Sequence, residues 1–202
     1  MGVPSASEPL SSRPLGGGAI VVDYARIRRW VDASQTLMPL APFLLVLLQG
    51  LGRLDAELEA EDVLAFPETN PLEAQQAALK RIENHTLSYL WVLGAYEIVR
   101  TVAQKSREHP VPWPAECHRE LARLKADFER LRVPLAKLEP ARRHKETDSG
   151  IAFPAIHRSK GFAWQVSRDV YISRKDLADA LLSFLESLSA VARRDPRDPT
   201  AA

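Results

Sequence analysis

The residues best placed to do chemistry sit in and around one apolar run, Leu87-Ser88-Tyr89-Leu90-Trp91-Val92-Leu93-Gly94-Ala95-Tyr96-Glu97-Ile98-Val99-Arg100. Glu97 is the single carboxylate there. Burying it without a partner is expensive, so it must face a polar cavity or find a cation. Arg100, three residues on, has the spacing for the same helical face. Further back, Arg81, Asn84, His85 and Ser88 form a polar row at spacings of three and four, and Asn84, Ser88 and Glu97 drift toward a shared side. One reading is a polar groove in which Glu97 and His85 act as acid and base, or as ligands. The plainer reading is an intrahelical Glu97–Arg100 pair and a satisfied His85, and it is the default for both.

A second candidate is basic. Nine Lys and Arg residues lie between Arg119 and Lys145, ending in Arg142-Arg143-His144-Lys145, which the sequence places in a loop. With Arg158, Lys160 and Arg168 beyond it, and with Trp164 and Phe162 as stacking surfaces, this could bind single-stranded RNA. Against that, Phe162, Trp164 and Val166 alternate along one strand face, the pattern of side chains packed on helices. A complementary acidic run, Asp55 to Glu73, holds seven acids and no Lys or Arg. It reads as a solvated surface, or as the partner of the basic stretch in a head-to-tail contact.

Other chemistries lack their residues. There is no GxSxG, GxxxxGK[ST], HExxH or CxxC pattern. Cys117 is the only cysteine and five histidines are scattered through separate segments, so neither a metal site nor a cofactor is expected. A formal net charge of +1 gives no global attraction to nucleic acid or anionic membrane.

These side chains need elements to hold them. The periodicity gives a helix over Ile20 to Ser34, whose outer face carries Arg26, Arg28 and Arg29 as a solvated trio. A second helix starts at Pro42 and keeps a seam of Leu44, Leu48, Leu51 and Leu58. Leu37 to Gly52 is the most apolar stretch, but its 16 residues fall short of the roughly 20 that span a bilayer, so it reads as a core helix and no membrane partner is expected. The long helix runs from Pro71 to about Arg107, with Gly94 marking a close helix crossing. A fourth covers Ala115 to Arg132, where Pro134 should kink or restart it. Residues 151–172 change period, which argues for a small hairpin or meander with Pro154 on an edge strand or bulge. Ser173 then caps a last helix through Leu188.

The fold expected is mainly α, a single bundle of about five helices around the long helix 71–107, with the β-hairpin or meander before the C-terminal helix. Residues 1–18 and 194–202 read as a disordered leader and tail around one domain, 19–193. No signal peptide is visible, and a single cysteine suits the cytoplasm.

At the level of fold alone, an all-α chain with a charged pair resembles the HEPN superfamily of ribonucleases, which place four to six residues between an arginine and the histidine that follows it. Here Arg81 and His85 have three residues between them, and Arg107–His109 and Arg142–His144 have one. The motif spacing is therefore not met. The first expectation is a binding or oligomerisation module that works with a protein partner or as a homo-oligomer. The alternative is a metal-independent ribonuclease or toxin-type enzyme using Glu97, Arg100, His85 and the basic loop.

Overall fold

A computed structural model describes residues 21–62, 71–109, 111–157 and 159–193. The terminal segments and the stretch 63–70 lie outside the described residues, as do the leader and tail expectations that fall on them. Among the described residues there are five α-helices, α1 (Tyr24–Ser34), α2 (Leu44–Asp62), α3 (Pro71–Glu108), α4 (Ala115–Lys137) and α5 (Arg174–Ala192). A three-stranded antiparallel sheet precedes α5, with β1 (Phe153–His157), β2 (Gly161–Ser167) and β3 (Val170–Ser173) in the order β1-β2-β3. The fold is mainly α, as the periodicity predicts.

Local sequence explains the ends. Asp23 caps α1, its carboxylate accepting from the Ala25 and Arg26 amides at 2.9 and 3.0 Å. Ser173 caps α5 by accepting from the Asp176 amide. Pro154 lies on the edge strand β1, opposite Trp164, where a missing N–H breaks no central ladder. α3 packs against α2, α4, α5 and β2 and contributes Trp91, Val92, Ala95, Ile98, Val99 and Val102 to the core. Trp91 donates its indole N–H to the Leu51 carbonyl at 2.9 Å, fixing the α2–α3 register.

Four details differ from the sequence reading. Pro134 is buried inside a helix that continues to Lys137, because tertiary packing carries the turn across the missing hydrogen bond. The first turn of α2 starts at Leu44, two residues beyond Pro42, which sits in the preceding turn. A Cβ at Gly94 would meet only the Leu51 methyls at 3.5 and 3.6 Å, which is ordinary contact, so Gly94 marks no close crossing. The close crossing is at Gly52, where a Cβ would overlap the Cβ and Cγ of Trp30. Finally, α3 is not enclosed all round, since Leu79, Ile82 and Leu90 along its outer side stay exposed. No helix among the described residues is long and apolar enough to cross a membrane.

Candidate functional site

The most polar part of the interior joins the first, second and last helices. Asp55 is fully buried, and three donors from two other helices converge on its carboxylate. Arg26 Nε donates to Oδ2 at 2.6 Å and Trp30 Nε1 donates to the same oxygen at 2.9 Å. Arg174, also fully buried, donates to Oδ1, and its second nitrogen reaches Asp62 at 3.2 Å. Around this centre, Glu59 takes Arg26 at 3.0 Å and Lys175 at 2.8 Å, and Asp179 takes Arg26 at 2.7 Å and Lys175 at 2.8 Å. The Arg26–Asp179 contact is close enough for an ion pair, though not aligned as a hydrogen bond.

Charge and burial compete in this network. Burial alone would weaken the Arg26 guanidinium's hold on its proton, but the bond to Asp55 and the carboxylates of Asp179 and Glu59 outweigh it and raise its pKa. Burial pushes the Asp62 carboxyl above its ordinary range despite the Arg174 charge and the Phe162 amide. Gly161 adopts a φ of +65° beside Asp62, and a Cβ there would overlap the Asp62 carboxylate.

The sequence missed this centre. Arg26 was read as part of a solvated trio and is buried, and the acidic run was read as a solvated surface. In fact Asp55, Glu57, Glu59, Glu61 and Asp62 all take cations from within the fold, Glu57 from Arg53 and Glu61 from Lys80. These five acids are thus paired with cations of the fold, while Glu68 and the Glu73 side chain lie outside the described residues. One signal was available: the seam Leu44, Leu48, Leu51, Leu58 has a gap at Asp55, so an acid occupies a core position.

The sequence-derived candidates are dispersed. Glu97 and Arg100 form the expected surface pair at 2.8 Å, both about half exposed, and Arg132 lies 3.8 Å from Glu97 while resting on the Tyr96 ring. His85 packs its ring against Phe162 and Trp164, with centroids 5.6 and 5.7 Å apart. It stands twelve residues from Glu97, about 18 Å along the helix, so the two cannot serve one reacting group. Asn84 and Ser88 point inward and Glu97 outward. Buried polar atoms of Asn84, His85 and Ser88 have no hydrogen-bond partner among the described residues.

Burial alone lowers the His85 pKa from its ordinary 6.5. The unfolded chain then binds more protons below that value, so this histidine contributes stability above pH 6.5 that is lost as pH falls toward its folded pKa. His85→Phe is expected to flatten the slope of unfolding free energy between about pH 5 and 7, measured by urea titration at several pH values. An unchanged slope would show that His85 is not the group responsible.

Of the basic-loop residues, Arg142, Arg143 and His144 form a short 3₁₀ turn after α4, with Lys145 exposed at its end. Trp164 is fully buried in the core beside Val166 and presents no face to a base. Lys160 is held at the other end of the sheet by Asp176 at 2.9 Å, and Arg168 is exposed in the β2–β3 turn. No group of three or more His, Cys, Asp or Glu residues among those described could hold a metal ion. Comparison with protein-family models, curated proteins and solved structures finds no match.

The outer surface adds one more feature. Phe43, in the turn just before α2, and Val46 and Leu47, in its first turn, are 62%, 78% and 58% exposed. Gly50 continues the row with open space where a Cβ would stand, and Met38 precedes it, half exposed. Spacings of three and four put Phe43, Val46, Leu47 and Gly50 on one helical side.

Proposed function

We propose that the chain is a binding module that self-associates, two copies meeting through the Phe43–Val46–Leu47–Gly50 side of α2. The single observation that carries the reading is that Phe43, just before α2, and Val46 and Leu47 in its first turn are exposed side by side, where scattered single ones would need no explanation. Two further facts favour a second copy of the same chain. The same side of α2 runs on into Arg53 and Glu57, which neutralise each other at 2.8 Å, so no net charge selects an acidic or basic partner. In a two-fold contact each patch meets its own copy, and an apolar patch with a neutral rim is self-complementary. Gly50, with no side chain, lets the facing backbone approach. The enzymatic alternative has no such support, because His85, the Glu97–Arg100 pair and the basic turn occupy separate places.

Sedimentation and light scattering of the full chain test this. The expected result is a particle of twice 22.5 kDa at micromolar concentration. Val46→Glu should weaken association by about tenfold or more while leaving monomer stability within about 0.5 kcal/mol, since the side chain is exposed. A strict monomer, a dimer indifferent to Val46→Glu, or a row that binds lipid vesicles instead would each overturn the reading.

A further inference from the structure

A second surface feature lies between α3 and α4. The C-terminal part of α3 and the facing side of α4 leave a groove because the residues between them are small: Ala103 on α3, Ala122 and Ala126 on α4. The groove has two lobes of about 320 and 240 Å³ that share Ala126, Glu129 and Arg143 as a common wall, and the 3₁₀ turn Arg142–His144 closes its far end. Its floor is apolar, with Leu121 in one lobe and Val133 in the other. From His118 to Val133 it follows α4 for fifteen residues, roughly 22 Å.

The rim is basic. Arg107, Arg142 and Arg143 line it, and none of them makes an ion pair among the described residues. That sets them apart from Arg26, Arg29, Arg53, Arg130 and Arg174, each of which is matched to a carboxylate. Lys125 and Glu129 pair with each other, leaving the three arginines as the uncompensated charge. Arginine's planar fork suits carboxylates, and charges left unmatched along a depression are where a ligand's opposite charges would sit.

We infer that this α3–α4 groove binds an acidic peptide segment of a partner protein, its carboxylates meeting Arg107, Arg142 and Arg143 and its small apolar side chains lying on Ala122, Ala126 and Val133. Length and floor choose a peptide. An extended segment of about seven residues fills 22 Å at 3.3 Å per residue. Nucleic acid fits less well, because neither lobe is lined by Phe, Tyr or Trp on which bases would stack, and Trp164 is in the core. The groove does not include the α2 row, so peptide binding and self-association are independent.

The test is selection of random peptides of roughly ten residues displayed on phage against the full chain, followed by fluorescence polarisation with the selected peptides. Enrichment of Asp and Glu interspersed with Leu, Val or Ala is expected, with affinity that falls as salt is raised. The double variant Arg107→Glu/Arg143→Glu should lose about tenfold or more in affinity. Ala126→Trp, which fills the floor without altering charge, should lose a similar factor, while Val46→Glu should bind normally. Circular dichroism of each variant verifies that it is folded, and Arg107→Gln/Arg143→Gln serves where charge reversal disturbs it. The inference fails if no acidic consensus emerges, if a charge-matched oligoglutamate binds as well as the selected peptides, if the groove variants bind undiminished, or if single-stranded RNA of similar length binds more tightly and competes.

Discussion

Asp55→Ala is expected to lower the free energy of unfolding by about 3–5 kcal/mol, read as a fall in the urea midpoint with the slope unchanged. The size follows from what the carboxylate holds. Its removal leaves Arg174, fully buried, with Asp62 alone, takes the shortest bond from Arg26, and strips the acceptor from the buried Trp30 N–H. Each donor left unpaired carries its full desolvation penalty, which exceeds the modest net worth of the bonds themselves. Asp55→Asn retains an acceptor for Trp30 and should lose less. If Asp55→Ala moved stability by less than about 1 kcal/mol, as surface pairs do, the buried network would not be what joins these helices.

Gly52→Ala should destabilise by about 1–3 kcal/mol or more, although alanine is the better helix former by about 1 kcal/mol. The added methyl would overlap the Cβ and Cγ of Trp30, a side chain with no exposure and no free direction to retreat, since its ring also donates to Asp55. Gly94→Ala is the matched control. Its methyl would make ordinary contact with the Leu51 methyls, so helix propensity decides the sign and stability should rise by up to about 1 kcal/mol. Thermal and urea unfolding of the two variants side by side checks both. A similar change at both positions would contradict the Trp30 contact.

The contrast between these glycines shows what the sequence could reveal. Helix existence, the spine at α3, the meander and its edge proline were legible because each rests on local periodicity or backbone chemistry. Ser173 was legible as a cap for the same reason. Which glycine marks a crossing was not, because Gly52 and Gly94 both sit in apolar helical runs and differ only in what another helix places opposite them. The buried ion network was harder still. Arg26 meets Asp55 across 29 residues, and Arg174 meets it across 119, and no spacing rule links such distances. Only the acid occupying a core position in the Leu44–Leu58 seam hinted at it. For the candidate sites, adjacency in sequence misled: Arg142, Arg143 and His144 do line a depression, but their company is α3 and α4 and not the hairpin that follows them. The alternation of Trp164 with Phe162 and Val166 pointed to inward packing, while its expected role as a stacking surface beside the basic loop fails because it is fully buried.

The clasp that α5 makes on α1 and α2 also bears on the order in which the chain can fold. α1 and α2 are translated before α5, yet Arg26 pairs with Asp179, Arg29 with Glu186, and Asp55 and Asp62 with Arg174, all on α5. Before α5 arrives, Asp55 can already bond Arg26 and Trp30 within the α1–α2 pair, but Asp62, whose cation is Arg174, has to stay in water. Completion of the buried network therefore waits on α5.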